Sequence, residues 1–310
     1  MKAVRIHAYG GPEMLVCEDA PRPVPQAGEV LVQVYAAGVN PLDWKMREGW
    51  LKDFRHDPLP LIVGGDISGV VAELGTGVVG LQVGQEVYGV SGSMTGGYAE
   101  YAIAQADAIA PKPKTLNHVQ AAAAPIVAMT AWQALFEVGQ LQAGQSVLIH
   151  GAAGGVGSFA VQFGKMRRLQ VIATASAQNV EYVRGLGADR AIDYKTTPFE
   201  QVARELDMVL DTVGGDTQVR SWNVLKSGGI LVSTATPPDR EIAAARGLKG
   251  AMMVVQPRSS LLTEIAGSID AGQVKIDVQK VFPLVEARQA QELSQQGITR
   301  GKIVLQAIAA

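Results

Sequence analysis

The sequence predicts an α/β protein that joins a β-rich first part to a doubly wound parallel sheet. Short β-branched runs separated by Gly and Pro turns fill about the first 115 residues. From Leu116 onwards, apolar strands alternate with helix-forming segments, which is typical of a parallel sheet covered on both faces. A glycine-rich turn connects the first of these later strands to a helix.

The β-rich part begins with an alternating segment at residues 1–6 that reads as a strand and has no signal-peptide core behind it. Further strands are predicted at residues 30–35, 69–74 and 86–90. Short strands of this kind favour a compact antiparallel barrel or sandwich.

The later part contains four apolar runs at helix-sized spacings. They predict parallel strands at residues 146–150, 170–174, 207–211 and 229–233. A helix is expected from the glycine turn to about Met166, and another at residues 261–269. A final strand is predicted at residues 302–305.

Composition excludes several classes of function. Hydrophobic residues make up 47% and charged residues 18%, as in a folded globular protein. The net charge of -2 argues against nucleic acid and acidic membranes as partners, and no apolar run approaches the roughly 18 residues of a membrane helix. Cys17 is the only cysteine, so no internal disulfide or multi-cysteine metal site can form, and we expect a cytosolic protein.

The glycine-rich turn matches most of the dinucleotide-binding fingerprint. Gly154 and Gly157 occupy the third and sixth positions, while Ala152 replaces the first glycine. Backbone amides at a helix N-terminus attract a pyrophosphate. We therefore expect the phosphates to contact a short run of small residues: Ala153, Gly154, Gly155, Val156 and Gly157. The alternative is a strand-to-helix turn with no ligand.

The loop after the next strand favours NADPH over NADH. An acidic side chain there would bind the ribose 2′-hydroxyl of NAD and repel a 2′-phosphate. This chain instead has polar, uncharged groups, namely Thr174, Ser176, Gln178 and Asn179. Alternatively, these residues bind no phosphate and form a polar, solvated loop. Arg184, on the following helix, is a further candidate for the 2′-phosphate.

Four motifs in this order resemble the medium-chain dehydrogenase/reductases, in particular the quinone oxidoreductases and 2-alkenal (enone) reductases. They are AGVNPLD at residues 37–43, GGDISG at 64–69, GGYAEY at 96–101 and AAGGVG at 152–157. The resemblance implies a GroES-like β-barrel catalytic domain, residues 1–116 completed by 258–310. It also implies a Rossmann NADPH-binding domain over residues 117–257, with an active site between the two. Such proteins are commonly homodimers or homotetramers, and we expect a dimer here.

The departures from zinc-dependent members of that family indicate metal-free chemistry. Those members carry a Cys-His pair where this chain has Asn40 and Pro41, and Gly-His-Glu where it has GGD at residues 64–66. Zinc needs thiolate, imidazole or carboxylate ligands, so we expect no metal.

Without a metal, the chemistry expected is hydride delivery from NADPH to a small, apolar acceptor, either a quinone or an α,β-unsaturated carbonyl. Asn40 is the first candidate to stabilise charge on the carbonyl oxygen; otherwise it is a turn residue before Pro41. Asp43 and Lys45 are further catalytic candidates, with loop ordering and a solvated lysine as their alternatives. Solvent can supply the α-proton.

The resemblance also implies contacts to the cofactor outside the glycine turn. They are Thr130, Tyr194, Val213, Gly214, Thr234, and Arg300 with Lys302 in the segment TRGK at residues 299–302. For Thr130 the alternative is a hydroxyl bonded to its own helix backbone.

Two other functions remain open at this point. One is an enoyl-thioester reductase of the same superfamily, which needs a pocket for a long acyl chain. The other is an NADPH-binding protein with little turnover. Trp50, Leu51 and Phe54, in the predicted loop at residues 49–60, favour an apolar acceptor.

Overall fold

A computed structural model describes residues 1–297 and 300–308 of the 310-residue chain. The chain divides into two compact units, Met1–Ile126 with Pro257–Ala310 (unit 1) and Val127–Gln256 (unit 2). Unit 1 extends past the predicted boundary at residue 116. The backbone N–H of Ile126 donates to a buried carboxylate of unit 1, Asp66, at 2.7 Å, which ties this segment to the first unit.

The described residues form sixteen strands and nine α-helices. The strands are β1 Lys2–Ile6, β2 Val16–Asp19, β3 Glu29–Val39, β4 Leu61–Ile62, β5 Asp66–Leu74, β6 Glu86–Val90, β7 Tyr101–Gln105, β8 Ile109–Pro111, β9 Ser146–Ile149, β10 Gln170–Ala175, β11 Arg190–Asp193, β12 Leu206–Asp211, β13 Leu225–Ser233, β14 Lys249–Met252, β15 Val278–Pro283 and β16 Lys302–Gln306. The helices are α1 Pro41–Arg47, α2 His118–Ala122, α3 Pro125–Trp132, α4 Gly155–Met166, α5 Val180–Gly185, α6 Gly215–Ser221, α7 Arg240–Ala245, α8 Ser259–Asp270 and α9 Ala287–Gln295.

Strand β3 organises the main sheet of unit 1. One edge of β3 pairs antiparallel with β5, while the other edge pairs first with β7 and then with β16. The sheet continues through β6 to β8 on one side, and through β16 to β15 on the other. A smaller sheet has the order β2-β1-β4. The C-terminal strand therefore lies beside β3, at the end of β3 that leads into α1.

Helix α1 occupies a segment for which the sequence predicted only a loop. Asn40 is its N-cap, with extended backbone, and Pro41 is its first residue, where a missing N–H costs nothing. Strand β15 and helix α9 were also not predicted. In α9 the buried positions Ala287, Ala290 and Gln291 are small or polar, which weakens the apolar pattern.

Unit 2 contains a six-stranded sheet with the order β11-β10-β9-β12-β13-β14, and every pair in it is parallel. This is the strand order of a doubly wound dinucleotide-binding sheet. The predicted strands all occur. The two edge strands, β11 and β14, were missed because they are short and rich in polar or small residues. All carboxyl ends lie at one edge of the sheet.

Among the helices of the described part, none is long and apolar enough to cross a membrane.

Candidate active and cofactor sites

The glycine-rich turn of unit 2 leads from β9 into α4. Ser158 donates the first helical backbone bond, to the carbonyl of Gly154, so the amides of residues 155–157 precede the helical ladder. A Cβ on Gly157 would overlap the carbonyl oxygen of Gly151 and lie 2.6 Å from Cα of Ala152. At Gly154 a Cβ would lie 3.4 Å from that same oxygen, an ordinary contact. The turn is therefore a tight cradle of amides, which fits a pyrophosphate.

The loops after β10 and β11 adjoin each other at the same carboxyl edge. The N–H of Tyr194 donates to the carbonyl of Ala175 at 3.2 Å, and the Tyr194 side chain is 53% exposed. Gln178 is exposed, whereas Asn179 is buried and donates its amide to the Ser176 hydroxyl at 3.2 Å. The structure thus holds the backbone of Tyr194 against Ala175, the residue that precedes the predicted 2′-phosphate residues 176, 178 and 179.

Asp211 organises the loops after β12 and β13. Its buried carboxylate accepts the backbone N–H groups of Val213 and Gly214 at 2.9 and 2.8 Å. It also accepts the Ser233 hydroxyl at 3.0 Å, at the end of β13, one residue before Thr234. Three of the predicted cofactor residues therefore lie on two loops that one carboxylate ties together. The Val213 side chain is 55% exposed.

Thr174 was predicted to contact the cofactor, but its hydroxyl group is hydrogen-bonded to His150. His150 lies between the hydroxyls of Thr174 and Ser221, with both distances 3.0 Å. Ser221 donates to the carbonyl of Thr217, so it accepts from Nε2–H of His150. Burial lowers the pKa of His150 to about 4, so the ring is neutral and Nδ1 accepts the Thr174 hydroxyl. We assign the Thr174 side chain to this cluster and not to the cofactor.

In unit 1, Asn40 lies at the centre of a buried polar network. Its side chain is held between Lys302, which donates to Oδ1 at 2.6 Å, and Asp66, which accepts from Nδ2 at 2.8 Å. Asn40 is 3% exposed. The amide is therefore held in one fixed orientation.

Lys302 is buried in this network, contrary to its predicted role as a cofactor contact. Its ammonium group donates to Asn40, to the carbonyl of Val39 at 2.9 Å and to Asp66 at 3.2 Å. An ammonium has three hydrogens, and these three acceptors use all of them. We therefore assign Lys302 to the Asn40 network and remove it from the cofactor set.

Asp43 orders the start of α1 instead of facing solvent. Its Oδ2 accepts the backbone N–H of Asn40 at 2.8 Å and the hydroxyl of Tyr98 at 2.7 Å. Burial raises the pKa of Asp43 to about 7, although both of these hydrogen bonds act in the opposite direction. A Cβ on Gly64, where φ is +92°, would overlap the Tyr98 ring, so glycine makes room for this contact.

Lys45 does not join the network. Two residues along a helix are separated by about 200°, so Lys45 and Asp43 lie on different sides of α1. The ammonium of Lys45 lies 5.6 Å from the ring centroids of both Trp44 and Trp50. Partial burial lowers its pKa.

The remaining predicted residues lie in separate surroundings. Thr130 is buried within α3 of unit 2. Arg300 forms an ion pair with Asp277 at 2.8 Å and is half-exposed in unit 1. Thr299, which begins the TRGK segment, lies outside the described residues.

The donor set of the network does not fit a metal ion. Asn40 Oδ1 accepts from an ammonium, and the two oxygens of Asp66 accept from Asn40, Lys302 and the Ile126 N–H. Positions 41 and 65 are Pro and Gly, which carry no side-chain donor. No group of three or more His, Cys, Asp or Glu residues with metal-binding geometry occurs in the described ranges 1–297 and 300–308.

Three residues that the structure places at these sites, Asp66, Tyr98 and Asp211, were not among the predicted site residues. Asp66 and Tyr98 stand in the quoted motifs GGDISG and GGYAEY, where a charged residue and a tyrosine among small residues were the available signal. Asp211 ends a predicted buried strand, and a carboxylate at that position was a signal for an anchored loop.

Comparisons with known proteins give the family. An alcohol dehydrogenase GroES-like domain model matches residues 26–114, and a model described as zinc-binding dehydrogenase matches residues 186–305. The mouse mitochondrial NAD(P)H oxidoreductase RTN4IP1 is 35% identical, over 90% of this chain and 82% of its own length. The chain belongs to the medium-chain dehydrogenase/reductase family.

Two further members of this family are similar over nearly the whole chain. The Arabidopsis thaliana chloroplastic NADPH-dependent alkenal/one oxidoreductase is 34% identical over 98% of this chain and 79% of its own. The quinone oxidoreductase structure from Coxiella burnetii is 33% identical, with a TM-score of 0.92 and 99% of both chains covered. These matches confirm the predicted fold class, a GroES-like unit and a Rossmann unit.

Proposed function

We propose that this family member is a zinc-independent, NADPH-dependent reductase of quinones or α,β-unsaturated carbonyls. The observation that carries the proposal is the Asn40 amide, held as a hydrogen-bond donor in a network that has no set of metal ligands. A fixed donor stabilises the negative charge that develops on a carbonyl oxygen when the conjugated carbon accepts hydride. The names of the relatives RTN4IP1 and alkenal/one oxidoreductase support the same chemistry.

In this proposal unit 2 binds the cofactor. The amides of residues 153–157 hold the pyrophosphate, and Ser176, Gln178 and Asn179 hold the 2′-phosphate with Tyr194 beside them. Thr130, Val213, Gly214 and Thr234 line the nicotinamide half. When bound, NADPH supplies the hydride.

Unit 1 acts on the substrate. Asn40 donates an N–H to the carbonyl oxygen, and Asp43 holds the backbone of Asn40 through its N–H at 2.8 Å. Asp43 is therefore a positioning residue in this proposal. Water supplies the α-proton. Lys45 and Arg300 stay as candidates for contacts to the substrate and the cofactor, respectively.

We further propose a cytosolic homodimer acting on a small apolar molecule, with no nucleic-acid or membrane partner. Cys17 as the only cysteine and the net charge of -2 support the location and the partner class. Exposed Met252, with Val254 just beyond the edge strand β14, supports self-association.

The test follows NADPH and NADH consumption by absorbance, with 1,2-naphthoquinone and a short 2-alkenal as acceptors. We expect acceptor-dependent oxidation that is faster with NADPH. Binding without turnover would favour a nucleotide-binding protein, turnover only with an enoyl thioester would favour that alternative reductase, and no binding of either nucleotide would overturn the proposal.

A matched glycine pair tests the cradle. Gly157→Ala places a methyl group against backbone atoms, so we expect NADPH affinity to fall at least about 10-fold, equivalent to about 1.4 kcal/mol. Gly267→Ala, within α8 of unit 1 and outside the proposed cofactor site, adds a methyl group with no atom within 4 Å and is the control. Equal dissociation constants for the two variants, measured by NADPH fluorescence, would show that the phosphates do not bind here.

A further inference from the structure

The Asn40 amide has one permitted orientation because two charged side chains hold its two ends. An ammonium group only donates hydrogen bonds and a carboxylate only accepts them. Lys302 faces Oδ1 and Asp66 faces Nδ2. A flipped amide would place its nitrogen against the ammonium and its oxygen against the carboxylate. Both contacts would then be repulsive.

The two charged groups are themselves held in place. Lys302 also donates to the carbonyl of Val39, and the second oxygen of Asp66 accepts the Ile126 N–H at 2.7 Å. The exposed fractions of the Lys302 and Asp66 side chains are 5% and 0%. Neither group can reorient without losing a buried hydrogen bond, so both act as rigid supports.

Sheet topology brings these supports to Asn40. Strands β16, β3 and β5 are neighbours in the order β16-β3-β5. Ile303 of β16 pairs with Val39, and Asp66 of β5 pairs with Gly38, so Lys302 and Asp66 flank the end of β3 where Asn40 follows. The three residues are far apart in sequence and adjacent only through this register.

The amide retains one hydrogen for a ligand. Lys302 uses Oδ1, and Asp66 uses one hydrogen of Nδ2. Within residues 1–297 and 300–308, the hydrogen bond to Asp66 is the one that Nδ2 donates. The direction of the second N–H is therefore set by the first.

We propose that Lys302 and Asp66 are positioning residues for the reaction, because they aim the second N–H of Asn40 at the carbonyl oxygen of the substrate. This inference rests on the proposed reductase function. In this proposal the buried ion pair contributes to catalysis through Asn40 and touches neither substrate nor cofactor.

A double-mutant cycle tests the inference. The pair variant Asp66→Asn/Lys302→Met removes both charges together, so that neither is left buried alone. Against an enone acceptor, we expect kcat to fall by about 10-fold to 100-fold, with the KM for NADPH unchanged. In an Asn40→Ala background the same pair change should have no further effect, since its target is gone. If the pair change lowers kcat in the Asn40→Ala background by the same factor as in the wild type, the positioning role is overturned.

A matched control separates this effect from the loss of any ion pair in unit 1. Arg5 and Glu18 form a partly exposed pair at 3.0 Å, with exposed side-chain fractions of 20% and 29%. Arg5→Met/Glu18→Gln should leave kcat within about 2-fold of the wild type, as expected for a weak pair at a partly solvated position. A drop as large as that of the Asp66/Lys302 variant would assign both effects to general destabilisation and overturn the inference.

A second readout needs no turnover. In protein labelled with ¹⁵N at asparagine and free of cofactor, the Nδ2 hydrogen of Asn40 that bonds Asp66 should exchange slowly with water. Asp66→Leu/Lys302→Met, which removes the acceptor as well as both charges, should lose this protection, and unchanged exchange in that variant would contradict the orientation by Lys302 and Asp66. Wild-type protein that reduces no acceptor would contradict the proposed function, whereas an active wild type with independent losses contradicts the positioning role alone.

Discussion

The two units bury polar groups of different kinds at corresponding places, the ends of their central strands. In unit 1 the cluster around Asn40 is charged, with Lys302 and Asp66 almost fully buried. In unit 2 the His150 ring is itself neutral and is hydrogen-bonded to two hydroxyl groups, while the charges of Asp211 and Arg220 act on it without a hydrogen bond to the ring. Buried ion pairs add little net stability, because desolvation offsets their attraction. Neutral hydrogen bonds carry a smaller desolvation penalty. Hydrogen bonding accounts for the cluster in unit 2, whereas net stability does not account for the ion pair in unit 1, for which we propose the positioning role.

The largest effect should come from splitting the charged pair. Lys302→Met leaves Asp66 buried without its cation, so we expect a loss of about 3 to 5 kcal/mol in the free energy of unfolding. Asp66→Asn/Lys302→Met should recover most of that loss. Urea unfolding measures the stability of both variants. If Lys302→Met is as stable as the wild type, Lys302 and Asp66 do not stabilise each other.

A pH dependence of stability should arise from Asp43. Its pKa is about 7 in the folded protein against an ordinary value of 3.8, so the folded state keeps a proton that the unfolded state releases between about pH 4 and 7. The Asp43 carboxyl group therefore adds to the free energy of unfolding at low pH. This contribution falls by about 1 to 4 kcal/mol as the pH rises through the window. Tyr98, Lys302 and Asp66 face this carboxyl group.

Asp43→Asn tests this dependence. The amide oxygen can still accept from Asn40 and Tyr98, but the side chain no longer titrates. The difference in unfolding free energy between variant and wild type should change across pH 4 to 7 and be constant above pH 8. A constant difference over the whole range would assign an ordinary pKa to Asp43.

The neutral cluster should respond to pH with the opposite sign. The pKa of His150 is about 4 in the folded state against an ordinary value of 6.5, so the unfolded state binds the proton first. Stability is present above about pH 6.5 and is lost as the pH falls towards 4, by about 1 to 3 kcal/mol. In His150→Gln this loss should be absent when unfolding is followed from pH 8 to pH 4. A variant that loses stability in parallel with the wild type would contradict the assignment.

The smallest effect should come from removing one hydroxyl of the neutral cluster. Thr174→Val leaves Nδ1 of His150 without its donor, which should cost about 1 to 2 kcal/mol. Thr263→Val removes an exposed hydroxyl bonded to the Ser259 carbonyl and should change stability by less than about 0.5 kcal/mol. If Thr174→Val and Thr263→Val lower the melting temperature equally, the hydrogen bond between Thr174 and His150 adds no more stability than an exposed one. NADPH affinity should be nearly unchanged in both variants.

The sequence was most informative where one short segment contains the whole signal. The glycine turn, the apolar strand before it and the helix after it are contiguous, so the cradle at residues 152–157 could be predicted from local pattern. The same holds for the strands at residues 170–174 and 207–211, which the structure extends by one residue each at one end. The domain boundary was not local: the first segment of unit 1 extends to Ile126, whose N–H donates to Asp66, a residue far away in sequence.

The sequence by itself determined the α/β class, the alternation of strands and helices, and the absence of metal-ligand residue types at positions 40, 41 and 65. Each depends on residue type or on spacing within one segment. Only the tertiary structure decided what Lys302 and Thr174 contact, since their partners come from other strands. Asn40 meets Lys302 across a separation of 262 residues through the pairing of β16 with β3. Strand register is a property of the whole sheet, so no local pattern around position 302 reports it.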